Sequence, residues 1–145
     1  TDPTNPYLVG GLVDSFLMDG PRDVVVSLDG LFVYVVAFDS ASLVVVNVTD
    51  PVSPRVVGSI VGEAKFMAKP ANLVLSPDTG LVYALSHVSE GVVLVVNASN
   101  PTNPSVVGNS TTGVMGFGYL SPMGNRFYVN NGDVIQVLST CRSTN

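Results

Sequence analysis

The chain contains one histidine, His87, and one cysteine, Cys141, so a locally encoded metal or thiol centre has little to build on. A zinc site needs several Cys, His or carboxylate ligands converging on one point, and no second His or Cys stands near His87. As the base of a nucleophilic triad it would need a serine on a strained elbow and an orienting acid. Ser86 and Ser89 lie beside it without that context. His87 is therefore expected at a strand end or in a loop. Asp29 and Asp78 fall in matching turns, and Asp2 and Asp50 in matching connectors. Calcium takes roughly six to eight converging oxygens, which no Asp-x-Asp-x-Asp spacing supplies here, so these acids are expected to form turns. No catalytic, cofactor or metal residue is assigned. Met115-Gly116-Phe117-Gly118-Tyr119 could offer a close-approach surface, but no Gly-x-Gly-x-x-Gly opens a helix to hold a dinucleotide.

Covalent modification has better support. Asn-x-Ser/Thr triplets with a permissible middle residue occur at Asn47, Asn97 and Asn109, the acceptor pattern for N-linked glycans. Asn47 and Asn97 both stand where a strand runs into a proline-containing connector. Cys141 excludes an internal disulfide framework and is a candidate for an intermolecular bridge.

Charged residues make up 12% of the chain and hydrophobic ones 46%, against about 25% charge in an average soluble domain, so the ordered elements must be covered on more than one face. Apolar runs such as Leu31 to Phe38 and Val92 to Val96 end at polar residues, far short of the about 20 residues of a spanning helix, and no membrane span is expected. A net charge of -5 with six scattered basic residues leaves no basic stripe for a phosphate backbone, so nucleic acid is not an expected partner.

The chain repeats itself. Thr-Asp-Pro-Thr-Asn-Pro-Tyr-Leu-Val-Gly from Thr1 to Gly10 recurs from Thr49 to Gly58 and, as Ser-Asn-Pro-Thr-Asn-Pro-Ser-Val-Val-Gly, from Ser99 to Gly108. Within each unit a Val-rich run ends in a turn: Ser27-Leu28-Asp29-Gly30, Ser76-Pro77-Asp78-Thr79-Gly80 and Ser121-Pro122-Met123-Gly124. An apolar run centred on Tyr34, Tyr83 or Tyr128 follows, and then a run at Leu43 to Asn47, Val92 to Asn97 or Val134 to Leu138. Val, Ile, Tyr and Phe in short runs bounded by Gly, Pro, Asn or Asp read as strands. The paired prolines, which cannot donate to a ladder, read as an extended connector between sheets. Four strands per unit at a period near 50 residues is the pattern of a β-propeller. The expected fold is all-β: one repeat domain over 1–145, with units 1–48, 49–98 and 99–145. Its three blade-type repeats have about four antiparallel strands each and are completed by more sequence or by other copies.

The Asp-Pro-x-x-Pro-x-x-Val-Gly phrase after a Val-Val-Asn strand resembles the LVIVP-repeat propellers, and the Ser-Pro-Asp-Gly…Val-Tyr…Val-Val-Asn cadence is similar to the YVTN-repeat surface propellers. The resemblance covers nearly the whole chain and implies an extracellular or cell-surface location. Together with the sequons and the missing catalytic motifs it leads to the expectation of a non-enzymatic structural or interaction module. Such a module would self-associate through bare blade faces into a ring or filament; the alternative is a glycan- or peptide-binding propeller. Expected partners are further copies or blades of the same protein, and covalent glycans.

Overall fold

A computed structural model describes residues 4–62, 68–88, 90–113, 117–121, 126–131 and 133–139. The chain forms eleven strands, β1 Pro21–Val26, β2 Phe32–Ala37, β3 Ser42–Asn47, β4 Arg55–Val61, β5 Pro70–Leu75, β6 Val82–Ser86, β7 Val92–Asn97, β8 Ser105–Thr111, β9 Phe117–Leu120, β10 Arg126–Asn131 and β11 Val134–Ser139. They assemble into three antiparallel sheets in the orders β1-β2-β3-β4, β5-β6-β7-β8 and β11-β10-β9. The all-β, blade-by-blade architecture expected from the repeats is thus observed, with two four-stranded sheets and, among the described residues, a three-stranded third.

The strands form where the apolar runs lie, and the turns form for the reasons their residues suggest. In the first tight turn Gly30 donates to the Ser27 carbonyl at 2.9 Å, and Gly30 has a φ of 74°, a conformation that costs glycine nothing. Asp29 closes the same turn by accepting from the Ser27 hydroxyl at 2.5 Å and from the Leu31 amide at 3.0 Å. The Ser27 hydroxyl, followed by the Leu31 amide, holds the Asp29 carboxyl below its ordinary range. Burial raises the Tyr34 phenol above its ordinary value, with the Asp29 charge adding to the effect.

The connector reading needs one correction. Pro51 and Pro54 lie between β3 and β4, which pair within one sheet, so the phrase links the last two strands of a blade and not two sheets. Proline still avoids the ladder, because a turn takes the prolines out of register: Val52 donates to the Asp50 carboxylate at 3.1 Å and Ser53 to the Asp50 carbonyl at 3.2 Å. Asn100 builds the same turn in the next unit, accepting from Thr102 at 3.2 Å.

Covering both faces of the central strands makes the core. Val36, Leu43, Val44, Val45, Val82 and Val96 are fully buried. One cluster joins the first two sheets through Tyr34, Leu43, Val45, Leu73, Ala84 and Leu94. A second joins the second and third sheets through Tyr83, Leu85, Val93, Phe127 and Val129.

Candidate functional site

The innermost strands carry a device that sequence reading missed. Asp23 of β1 accepts at one carboxylate oxygen from the Asn72 side-chain amide at 2.7 Å and from the Leu73 backbone amide at 2.8 Å, both on β5. Asn72 in turn accepts from the Gly118 amide of β9 at 2.8 Å. Asp23 and Asn72 occupy one repeat position, and the Leu73 and Gly118 amides that they bind occupy the next, so each inner strand is hydrogen-bonded to the following one by a side chain that fixes the angular step between blades. Asp23→Ala strands the Asn72 amide and the Leu73 N–H, and unmade buried donors cost about 1–3 kcal/mol. A fall of about 2 kcal/mol in urea-unfolding stability, largely restored by Asp23→Asn, is expected.

This relay positions a cleft of about 360 Å³ lined by Arg22, Phe38, Ala71, His87 and Phe117. Arg22 and Ala71 share the repeat position just before Asp23 and Asn72, and Phe117 of β9 stands level with Asp23 and Asn72 themselves. Phe38 and His87 are also equivalent: Phe38 donates to the Gly20 carbonyl at 2.8 Å and His87 to the Lys69 carbonyl at 2.8 Å, each just past the second strand of its sheet. Three repeat positions, sampled from three blades, therefore face one another at one end of the inner strands.

Two cations share one ring there. The Arg22 guanidinium lies 4.6 Å from the Phe38 ring centroid and the Lys69 ammonium 5.3 Å from it, within the range of cation–π attraction. Neither has a carboxylate partner among the described residues. Like charges drawn to one ring repel unless an anion joins them. Lys69 also sits in the left-handed region at φ 53°, where its counterpart Gly20 has φ 63°. A lysine in a glycine conformation carries backbone strain of about 1 kcal/mol or more, and strain of this kind collects at functional positions.

His87 thus lies at a strand end, as expected, but in a cleft lined also by Arg22 and Phe38 of the preceding blade, with Lys69 of its own blade beside the Phe38 ring. Among the described residues no three His, Cys, Asp or Glu side chains gather as a metal site would require, and no helix is long and apolar enough to cross a membrane. Asn47 and Asn97 begin equivalent Asx turns, accepting from the Thr49 amide at 3.0 Å and the Ser99 amide at 2.9 Å. Asn109 lies within β8 opposite Leu94 and is exposed. Cys141, Asp2, Ser89, Met115 and Gly116 lie outside the described residues.

No protein-family model matches the chain, and no curated protein matches it. Solved structures do. A candidate 6-phosphogluconolactonase from Bacteroides fragilis superposes with a TM-score of 0.70 at 19% identity, over 83% of this chain and 35% of its own. A second, from Bacteroides uniformis, gives 0.69 at 23% identity, over 87% of this chain and 38% of its own. Hydrazine synthase of Kuenenia stuttgartiensis gives 0.69 at 21% identity, over 93% of this chain and 36% of its own. The chain spans little more than a third of the length of each.

These neighbours overturn the expectation of a non-enzymatic, self-associating structural module, together with its glycan- or peptide-binding alternative. Their fold is one that proteins named as enzymes use, so missing local motifs do not argue against catalysis. The physical reason is visible in the cleft: a propeller draws its functional side chains from several blades, one or two from each, and needs no motif within any one of them. The chain is an all-β array of blades of the β-propeller type.

Proposed function

We propose that the cleft between the inner strands is a site for a small anionic sugar derivative, and that the chain contributes it to a hydrolase acting on a phosphorylated sugar lactone. The observation that carries the reading is the convergence of Arg22 and Lys69 on Phe38, with Lys69 held in a strained conformation to reach it. Guanidinium and ammonium groups bind phosphate through charge-assisted hydrogen bonds. Phe117, 54% exposed in the cleft, offers an apolar platform for the sugar ring. The reaction class follows the neighbours named for 6-phosphogluconolactonase activity.

His87 is assigned the proton transfers. It takes a proton from a water molecule as that water's oxygen attacks the lactone carbonyl, and returns it to the ring oxygen as the carbonyl–oxygen bond breaks. The products are a carboxylate with one released proton and a hydroxyl on the opened chain. The extracellular location implied by the repeat resemblance belongs to the same reading, supported by the paired sequons at Asn47 and Asn97.

Calorimetric titration of the chain with 6-phosphogluconate is expected to give saturable binding. Arg22→Ala weakens it by about tenfold to a hundredfold, since one charge-assisted bond is worth about 1.5–3 kcal/mol. Lys69→Gly weakens it similarly while leaving stability equal or higher, because the strain at φ 53° is removed. His87→Ala keeps binding and loses lactone turnover. Absence of binding, or binding indifferent to both cations, would sink the proposal.

A further inference from the structure

The glycine that closes each Pro-x-x-Pro-x-x-Val-Gly phrase has a packing role of its own. A Cβ on Gly10 would lie 2.2 Å from the Pro51 carbonyl oxygen, and one on Gly58 would lie 2.2 Å from the Pro101 carbonyl oxygen and 2.9 Å from Pro104 Cδ. Both glycines receive the first proline of the connector in the next unit. Gly108 is the third member of the series, in β8. There a Cβ would meet only Val95 of its own sheet, at 3.8 Å. Its slot has no proline connector among the described residues.

An unpaired strand edge lies where that connector would lead. In the first two sheets the third strand pairs on its far side with a strand following the connector, β3 with β4 and β7 with β8. In the third sheet β11 is the counterpart of β3 and β7: Val137 pairs with Tyr128 as Val45 pairs with Tyr34 and Val95 with Tyr83. Among the described residues the other edge of β11 is open, with Ile135 and Val137 exposed. Residues 140–145 contain no proline.

We infer that β11 and Gly108 together form a docking surface for the connector and outer strand of a further repeat, a Pro-x-x-Pro-x-Val-Val-Gly segment. Its first proline carbonyl seats on Gly108 as Pro101 does on Gly58, and its strand adds to β11 by backbone hydrogen bonds. The register follows from the other blades. Val45 faces Gly58 and Val95 faces Gly108 across a bulge, so the incoming glycine faces Val137.

The test is fluorescence anisotropy with a labelled peptide of residues 49–61, Thr-Asp-Pro-Val-Ser-Pro-Arg-Val-Val-Gly-Ser-Ile-Val, titrated with the full chain. Saturable binding is expected, weakened by about tenfold or more by Gly108→Ala, which places a methyl where the carbonyl must sit. The same loss is expected when both peptide prolines become alanine. Circular dichroism of the Gly108→Ala chain is unchanged, because the methyl has room within its own sheet. Equal binding of a scrambled peptide, or equal binding by the Gly108→Ala chain, would overturn the inference. A doubled mass in sedimentation at the titrated concentration would overturn it too, since a second copy would then occupy the edge. None of these outcomes bears on the anion cleft, which lies on the inner strands.

Discussion

Phe127→Ala lowers the stability of the chain by about 4 kcal/mol, the largest effect expected of any single truncation. Phe127 is the largest of the fully buried side chains, 2% exposed, and its ring stacks on Tyr83 with centroids 5.2 Å apart and planes 30° from parallel. It comes from β10 and fills the space between the third sheet and β6 and β7, with Leu85, Val93 and Val129 around it. Deleting a buried phenylalanine forfeits its transfer energy and leaves a cavity, at a cost of about 3–5 kcal/mol. The third sheet has only three described strands to anchor it, so the loss is local before it is global. Hydrogen exchange is expected to show β9 to β11 deprotected while β2 and β3 keep their slow amides. Tyr128, on the opposite face and 38% exposed, is the control, and its truncation costs about 1 kcal/mol or less. A Phe127→Ala change below about 1 kcal/mol would mean that the third sheet is not docked through this ring.

Gly58→Ala is expected to cost about 3 kcal/mol, whereas Gly108→Ala, at the same place in the repeat, changes stability by less than about 0.5 kcal/mol. The contrast isolates one cause. At Gly58 the new methyl would lie 2.2 Å from a backbone oxygen and 2.9 Å from a proline ring. Neither can rotate away, so the connector itself must shift, and overpacking costs about 1–3 kcal/mol or more. At Gly108 the only neighbour within reach is Val95 at 3.8 Å, an ordinary contact. Urea midpoints of the two variants measured side by side decide the point, and equal losses at both positions would assign the effect to strand propensity instead of the inter-blade slot.

Much of the architecture was readable in the residues because the repeat forces it. Tyr34, Tyr83 and Tyr128 mark the second strand of each sheet, and Leu43 to Asn47 and Val92 to Asn97 mark the third. The Asp29-Gly30 turn forms as its side chains dictate. The prolines were harder: their lack of a donor shows that they leave a ladder, but not whether the chain then joins its own sheet or another. The cleft was not readable residue by residue. Arg22, Lys69 and His87 are far apart in sequence and each is unremarkable alone, so the basic residues looked scattered. The available signal was the repeat alignment itself, which puts Arg22 and Ala71 at one position, Phe38 and His87 at another, and Phe117 level with Asp23 and Asn72. Asp23 and Asn72 share a position in the same way, and their short polar side chains in otherwise apolar strands were the sign of an inter-blade bond. Lys69 could not have been singled out, since its left-handed backbone becomes visible only in the folded chain.

The measurement that bears most directly on the proposed site is a crystal structure of the chain soaked with 6-phosphogluconate. The phosphate is expected between Arg22 and Lys69, the sugar carbons against Phe117, and the carboxylate toward His87. Ligand bound on the outer strands or on a blade face, with the cleft empty, would contradict it.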